Sequence, residues 1–211
     1  MPGALAIRRV VLPLLAAAAF GCGSSPSSPP GPTGTGGPTS QASCDERPTP
    51  PGWTYPPGPY GTEVSQRFAD FTLDDCDLRA VRFADWLSEA ELVLVNVGAG
   101  WCQPCIEETR TIMQNIYSPF CGRGLRIVQI MFEDERSRPA TSLFCRQWRD
   151  AYMLTFPVLI DPTFDWSRIY FAGGAQTPLN LLVDKQAVIR YRSVGVAPAD
   201  LAQRIDALLP R

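Results

Sequence analysis

The sequence predicts an α/β fold in which helices flank a central mixed β-sheet. Three observations predict it: strand-like and helix-like patterns alternate over residues 68–171, two short strands then follow as a hairpin, and an amphipathic helix ends the chain. Alternation of this kind is typical of parallel strands joined by crossover helices. The hairpin adds antiparallel strands, so we expect the sheet to be mixed.

The strands are predicted from short apolar runs. Residues 68–73 alternate and precede a turn at 74–77, whereas 91–97 and 125–132 are mostly apolar and branched, as buried strands are. Three shorter strands complete the prediction, at 156–160, 179–183 and 188–192. The four residues between the last two favour a hairpin turn.

The helices are predicted where apolar residues recur at helical spacing. The pattern over 106–117 is stopped by Ser118-Pro119, and Pro139 is typical of the first turn of the next helix, through about residue 153. Three other helices or helical turns are expected, at 81–87, 164–171 and 198–209.

Composition limits the classes of function. A chain of 211 residues has room for one domain plus appendages. The net charge of −2 does not support nucleic-acid binding. Seven Cys and no His exclude every mechanism that pairs Cys or Ser with His, and every Cys2His2 zinc site.

The segment Trp101-Cys102-Gln103-Pro104-Cys105 lies between a predicted buried strand and a predicted helix. Cys102 would therefore lie at a helix N-terminus, where unpaired N–H groups and the helix dipole stabilise a thiolate. Cys105 follows one turn later on the same face and can attack a mixed disulfide formed at Cys102. Pro104 suits the first turn, which needs no N–H. The pattern predicts a redox-active Cys pair.

Around this pair the chain resembles the thioredoxin superfamily, most closely its TlpA-like and redoxin-like extracytoplasmic branch. Five features carry the likeness: Trp101 before the first Cys, Pro104 before the second, Asn96 on the preceding strand, Glu108 after the pair, and the later Thr177-Pro178. The resemblance covers roughly residues 62–210. It implies a thioredoxin-like fold with an insertion before the cis-proline loop, and a thiol-disulfide oxidoreductase activity.

The resemblance also implies roles for the residues of the site. Cys102 attacks a substrate disulfide as the thiolate, and Cys105 resolves the mixed disulfide. Pro178 follows a cis peptide bond beside Cys102 and shapes the substrate groove, and the Thr177 backbone faces an extended substrate strand. Trp101 covers the site.

Glu108 is expected to accept a proton or to tune the Cys pair, the alternative being a solvated helix residue. Asn96 stands where cytoplasmic thioredoxins carry a buried Asp, so the proton relay of thioredoxin is not carried over. The expected partners are protein dithiols or disulfides, with a separate electron donor if the protein is a reductase. We expect a monomer with no cofactor and no metal.

Residues 1–21 are typical of an export signal. Arg8 and Arg9 precede an 11-residue apolar stretch, Val10 to Phe20, which is too short to span a bilayer. The signal ends Gly21-Cys22 and resembles that of a bacterial lipoprotein, cleaved before a Cys22 that becomes lipidated. The alternative is an ordinary signal peptide cut at small residues nearby, since Ala19 stands where Leu is usual.

Residues 22–61 are expected to form a disordered Ser-, Pro- and Gly-rich tether and a Pro-rich arm, ahead of a thioredoxin-like domain at 62–211. This order predicts a lipid-anchored protein of the bacterial cell envelope that faces the periplasm. Gly23, rather than Asp, after the lipidated Cys slightly favours the outer membrane.

Four Cys remain once Cys22 and the redox pair are assigned. Exported chains keep disulfides, and we expect the pairs Cys44–Cys76 and Cys121–Cys145. Each would close a loop that stabilises the fold by ~3–4 kcal/mol in the chain-entropy model. Four Cys allow three pairings, and free buried thiols are the alternative. A four-Cys zinc site would need a second CxxC, which the sequence lacks.

Other functions stay open. A peroxidase of the redoxin kind would need a Pro-x-x-x-Thr/Ser-x-x-Cys setting, which the sequence lacks. A copper(I)-handling lipoprotein could bind metal on Cys102 and Cys105, although such carriers often add Met or His ligands. A non-catalytic thioredoxin-like binding lipoprotein would keep the fold without the activity, and the intact Cys pair with Pro178 argues against it.

Overall fold

The computed structural model describes Cys44 and residues 49–171, 176–195 and 199–211. The expected export signal, the Cys22 lipidation site and most of the expected tether lie outside these ranges. Within them, no helix is both long enough and apolar enough to cross a bilayer.

A mixed sheet forms the centre of the described domain, with the strand order β2-β1-β5-β4-β3-β6-β7. The strands are β1 Thr72–Asp75, β2 Ala80–Arg82, β3 Leu92–Gly98, β4 Leu125–Met131, β5 Val158–Ile160, β6 Leu179–Asp184 and β7 Ile189–Val194. The pairs β3–β4 and β4–β5 are parallel, and the other neighbours are antiparallel. The predicted mixed α/β sheet is confirmed.

The helices are α1 Phe83–Ser88, α2 Gln103–Ile112, α3 Ser118–Phe120, α4 Ser142–Ala151, α5 Ser167–Tyr170 and α6 Leu201–Leu208. A π-helical turn, Met113–Tyr117, continues α2 into α3, and a 3-10 turn follows at Cys121–Arg123. The elements α4, β5 and α5 lie between β4 and the Thr177-Pro178 loop, where the insertion was expected.

At two of the boundaries that differ from the sequence prediction, side chains cap the backbone. The first strand occurs at Thr72–Asp75, and Ala80–Arg82 pairs back on it as a strand. The Asp75 carboxylate accepts hydrogen bonds from the N–H groups of Asp77 and Arg79 and closes this turn. Helix α4 begins after Thr141, not at Pro139, because the Thr141 hydroxyl accepts the N–H of Phe144 as an N-cap.

The strands β3 and β4 are buried on both faces, and successive side chains alternate between two apolar clusters. In β3, Val93, Val95 and Val97 pack with the aromatic residues of α1, α5 and the segment around Phe68. Leu92 and Leu94 point the other way and pack under α2, α4 and α6. The sheet is therefore covered by helices on both sides. The redox segment lies where β3 ends and α2 begins, at one edge of the core.

The Pro-rich arm lies against the domain from residue 49 onwards. Trp53 and Tyr55 pack on the first apolar cluster, and the Tyr55 hydroxyl donates a 2.7 Å hydrogen bond to the Phe68 carbonyl. The hydroxyls of Thr49 and Ser88 are 2.8 Å apart. Burial raises the pKa of Tyr55 well above its ordinary value, and the charge of Asp70 acts in the same direction.

The expected pairing of the four extra Cys is wrong. The structure joins Cys44 to Cys121 and Cys76 to Cys145, with Cα–Cα distances of 4.9 and 5.0 Å. Strand β1 pairs with β5, and α4 packs on β5, so both Cys76 and Cys145 approach the Val158 carbonyl. Cys121, at the end of the helical segment that starts with α2, is left to pair with Cys44.

Candidate redox-active site

The two cysteines of the CxxC motif form a disulfide at the start of α2, with their Cα atoms 5.2 Å apart. Cys102 is the N-cap residue of this helix, and its Sγ accepts the N–H of Cys105 over 3.2 Å. The same N–H would stabilise a thiolate on Cys102 after reduction, together with the helix dipole. The geometry therefore favours Cys102 as the attacking cysteine.

The Thr177-Pro178 peptide bond is cis, as the resemblance implies, and lies beside the disulfide. The Thr177 carbonyl oxygen is 3.5 Å from the Cys102 Sγ. The Thr177 hydroxyl is 3.3 Å from the Cys105 Sγ and donates to the Val97 carbonyl over 3.2 Å. Thr177 thus contacts both sulfur atoms and joins the cis-proline loop to the end of β3.

Trp101 is 44 % exposed and lies beside the loop that follows β4. Its indole N–H donates a 2.6 Å hydrogen bond to the Glu133 carboxylate, and its ring meets Phe132 edge to face at 6.4 Å. The N–H of Gly100 also donates to the Glu133 carbonyl. The residue before the first active-site Cys is therefore joined to a second loop.

The loop after β4 approaches the redox segment too closely for a side chain at position 100. A Cβ on Gly100 would lie 2.7 Å from the Glu135 nitrogen and 2.8 Å from the Asp134 carbonyl carbon. Asp134 stabilises this loop by accepting hydrogen bonds from the side chain of Arg138 and from the N–H groups of Arg136 and Arg138. The side-chain hydrogen bond from Arg138 is the main cause that lowers the pKa of Asp134 to about 2.

Glu108 is half-buried, and its carboxylate accepts hydrogen bonds from two carboxamides. The Nδ2 of Asn96 is 3.2 Å from one carboxylate oxygen, and the Nδ2 of Asn180 is 3.3 Å from both. These hydrogen bonds to two buried side chains argue against the alternative that Glu108 is only a solvated helix residue. Glu108 also lines a cavity of about 230 Å³ between α2 and α6.

Three residues of this site were missed by the sequence prediction: Gln129, Asn180 and Thr109. Gln129 and Asn180 are almost completely buried on strands, next to the predicted Asn96. Thr109 is buried on α2, and its hydroxyl donates to the Cys105 carbonyl over 2.8 Å. The available signal was a polar side chain inside each apolar run, since buried amides need partners.

In the described parts of the chain, no group of three or more Cys, His, Asp or Glu side chains is arranged to hold a metal ion.

The fold and the site together define a thioredoxin-like protein of the thiol-disulfide oxidoreductase class. Residues 64–192, more than half of the chain, match the model of the AhpC/TSA family. The chain therefore belongs to that family.

The curated relatives include the thioredoxin-like protein YneN of Bacillus subtilis, which is 27% identical over 74% of this chain and 88% of its own length. The thiol-disulfide oxidoreductase ResA of Oceanobacillus iheyensis is 31% identical over 54% of this chain and 57% of its own length. The thiol:disulfide interchange protein DsbE of Allochromatium vinosum is 28% identical over 57% of this chain and 61% of its own length. The match thus spans less than two thirds of ResA and DsbE.

Solved structures share the fold. The structure described as a thiol:disulfide interchange protein DsbE of Chlorobium tepidum superposes with a TM-score of 0.59 at 23% identity, over 71% of this chain and all of that one. The peroxidoxin BcpB of Mycobacterium tuberculosis superposes with a TM-score of 0.55 at 15% identity, over 70% of this chain and 96% of that one. At these identities the likeness shows the thioredoxin-like fold alone.

Proposed function

We propose that this protein is a membrane-tethered thiol-disulfide oxidoreductase that exchanges its Cys102–Cys105 dithiol or disulfide with protein substrates, working as a reductase. One observation carries the proposal: a closed disulfide at the N-terminus of α2, beside a cis-proline loop whose Thr177 contacts both sulfurs. The names of the relatives ResA and DsbE support the same class of reaction.

The reductase reaction begins with both cysteines reduced. The Cys102 thiolate attacks one sulfur of a substrate disulfide, and the other substrate sulfur leaves as a thiolate. Cys105 then loses its proton and attacks the Cys102 sulfur, which releases the second substrate thiolate. Two electrons pass to the substrate, and the protein is left with the Cys102–Cys105 disulfide. A separate dithiol donor restores the reduced state.

The N-cap position explains the division of roles. A charge at the N-terminus of a helix gains about 0.3–1 kcal/mol from the helix dipole. Cys102 accepts the N–H of Cys105, whereas Cys105 lies inside the first turn and contacts the Thr177 hydroxyl. Cys102 is therefore the better thiolate and Cys105 the resolving thiol.

Trp101, Thr177 and Pro178 would bind the substrate. An extended segment of the substrate would pair with the backbone at Thr177 and contact the exposed Trp101 ring. The Thr177 carbonyl is 3.5 Å from the Cys102 Sγ, and Trp101 directly precedes Cys102 in the chain, so a disulfide bound by these residues would be presented to that sulfur.

The proposed location rests on the sequence. Residues 1–21 would direct export, Cys22 would carry the lipid anchor, and the segment up to the arm would hold the domain off the membrane, in the periplasm and with the outer membrane slightly favoured. The disulfides Cys44–Cys121 and Cys76–Cys145 support an oxidising compartment.

A redox titration tests the reaction. The chain from residue 23 onwards is equilibrated in buffers of defined potential, and its thiols are alkylated for mass spectrometry. We expect Cys102 and Cys105 to titrate as one reversible couple with a reduction potential of about −270 mV, as in thioredoxin. A reduction potential of about −120 mV would indicate an oxidant. A pair that does not cycle, or that binds copper(I) instead, would contradict the enzyme and favour a metal-handling lipoprotein.

Fractionation tests the anchor. In a bacterial host, the full chain should appear in the membrane fraction, and Cys22→Ser should release it. Ser24→Ala is the matched control, because it changes a neighbouring residue without touching the lipidated sulfur. Equal fractions for all three proteins would overturn the lipid anchor.

A further inference from the structure

Three buried amide side chains lie side by side across the centre of the sheet. Gln129 of β4 is opposite Asn96 of β3, and Asn96 is opposite Asn180 of β6. Each is at most 2 % exposed, on strands that are otherwise almost wholly apolar. Buried amides are costly unless their donors and acceptors are paired. Each of the three amides therefore needs hydrogen-bond partners inside the sheet.

The amides form a chain of hydrogen bonds that ends at Glu108. The Trp148 indole donates to Gln129 Oε1 over 2.9 Å, and Gln129 Nε2 donates to Asn96 Oδ1 over 2.8 Å. Asn96 Nδ2 donates to Asn180 Oδ1 over 2.9 Å, and Asn180 Nδ2 donates to both Glu108 oxygens. Each carboxamide accepts on the Trp148 side and donates toward Glu108.

The two ends determine this direction. An indole N–H can only donate, and an ionised carboxylate can only accept. The three amides between Trp148 and Glu108 therefore have one orientation that satisfies the whole chain, with every N–H group directed toward the carboxylate. Hydrogen bonds aligned in this way strengthen one another in a low-dielectric interior. The arrangement matches an ionised Glu108.

A branch of the same chain reaches the resolving cysteine. Gln129 Nε2 also donates to the Thr109 hydroxyl over 2.9 Å, and that hydroxyl donates to the Cys105 carbonyl. Glu108 is three residues after Cys105, so both lie on one face of α2. The polar chain therefore contacts the turn that carries Cys105 at two points.

We propose that Asn180, supported by Asn96 and Gln129, is a positioning residue that holds the Glu108 carboxylate ionised beside Cys105, so that Glu108 accepts the Cys105 proton in the resolving step. The inference rests on the proposed function and deepens it, because it assigns what controls that step. The proton passes from the Cys105 thiol to the carboxylate, and the thiolate then attacks the Cys102 sulfur.

The cavity beside Glu108 gives this proton a route to solvent. Its lining includes Glu108 and Asn180, with apolar residues of β3, α2 and α6. Among the lining residues Glu108 is the one that titrates, since β3 contributes Leu94, β6 contributes Asn180, and α6 contributes Leu201 and Ala202. On α2, Cys105 lies one turn before Glu108 and is the proton donor of the proposed step. The pH dependence of the resolving step should therefore report on this pair.

The test is a single-turnover measurement of the resolving step. The full chain, reduced only at Cys102–Cys105 as verified by mass spectrometry, is converted to a mixed disulfide with 5-thio-2-nitrobenzoate at Cys102. Release of the coloured thiolate then reports the attack of Cys105 over a range of pH. The variants are Asn180→Ala, Asn180→Ser and Glu108→Gln. Asn115→Ala is the control, since Asn115 lines the same cavity outside the hydrogen-bonded chain.

We expect Asn180→Ala and Glu108→Gln to slow release by about tenfold at neutral pH and to move the midpoint of the pH profile upward by about one unit. Asn180→Ser retains a hydroxyl donor and should restore part of the rate, and Asn115→Ala should match the unmodified chain. Thermal unfolding of each variant separates loss of fold from loss of rate, and Asn180→Ser tests the donor if the alanine variant does not fold.

The outcomes separate the two proposals. If the unmodified chain releases no thiolate, the oxidoreductase itself fails. If it releases thiolate and Glu108→Gln is slow while both Asn180 variants match the unmodified chain, the positioning role is overturned and the oxidoreductase stands. The positioning role is likewise overturned if Asn180→Ala lowers the rate equally at every pH, because that result indicates a structural defect only.

Discussion

The indole N–H of Trp101 donates a 2.6 Å hydrogen bond to the carboxylate of Glu133. This contact joins the residue before the first active-site cysteine to the loop that follows β4. The loop is itself held by Asp134, so the Trp101 ring has a defined position beside Cys102. In the proposed reaction Trp101 contacts the substrate, and preorganisation of such a ring would reduce the cost of binding.

Removal of the Glu133 acceptor should weaken substrate use. Glu133→Ala frees the Trp101 ring, and the loss of about 1 kcal/mol corresponds to a decrease of about fivefold in kcat/KM for a disulfide-bonded peptide. Glu133→Gln keeps an oxygen acceptor and is the matched control. Steady-state kinetics measure kcat/KM for the parent chain and for both variants. Equal kcat/KM values for all three proteins would show that the hydrogen bond has no role.

The disulfide pairing makes a second prediction. Proteolytic digestion without reductant should give linked peptides that contain Cys76 with Cys145 and Cys44 with Cys121, and a peptide linking Cys44 to Cys76 would contradict the structure. Loss of Cys76–Cys145 in the double variant C76A/C145A should lower the free energy of unfolding by about 2–5 kcal/mol. Urea denaturation measures the loss, with the reduced and oxidised forms of the parent chain as references.

Asp134 should make the domain sensitive to acid. Its pKa is about 2 in the folded state, below the ordinary value of 3.8, because the Arg138 side chain donates a hydrogen bond to the carboxylate. A lowered folded-state pKa contributes stability above the unfolded value, and this contribution is lost as the pH falls from about 4 to 2. Asp134→Asn should therefore be less stable than the parent at pH 6 and nearly equal to it at pH 2. Asp150→Asn, on an exposed part of α4, serves as the control in the same denaturation series.

Tyr55 should make the attachment of the arm sensitive to alkali. Burial and the charge of Asp70 favour the protonated phenol and raise the pKa of Tyr55, whose hydroxyl donates a hydrogen bond to the Phe68 carbonyl. A raised folded-state pKa contributes stability that is complete below the ordinary value near 10 and is lost as the pH rises above it. Tyr55→Phe should lower stability by about 1 kcal/mol at pH 7 and remove part of the alkaline loss. Equal stability of the two proteins at pH 7 and pH 11 would contradict this.

The core of the fold could be predicted because local sequence patterns determine it. The apolar run at Leu92–Gly98, the CxxC after it and the helix at Gln103–Ile112 follow from periodicity and helix-capping chemistry. The Thr177-Pro178 loop followed from the family resemblance. The start of the sheet was less predictable, because the turn before Ala80–Arg82 depends on hydrogen bonds from the Asp75 side chain.

The disulfides and the amide chain depend on tertiary structure. Cys76 meets Cys145 only because β1 lies next to β5, and no local pattern specifies that neighbour. Asn180 meets Asn96 only in one register of the β3–β6 pair, and a shift of one residue would place it on the other face. A polar residue inside an apolar strand signals a need for partners, but the sequence does not say which.

The two crosslinks outside the redox site interleave along the chain. One joins residues 44 and 121, and the other joins 76 and 145, so every peptide bond between Cys44 and Cys145 is enclosed by at least one of them. A single proteolytic cut anywhere in this stretch, including the exposed loop at 135–139, would leave both fragments covalently attached. Such a nicked protein would keep its redox helix in place and would separate into two pieces only on a reducing gel.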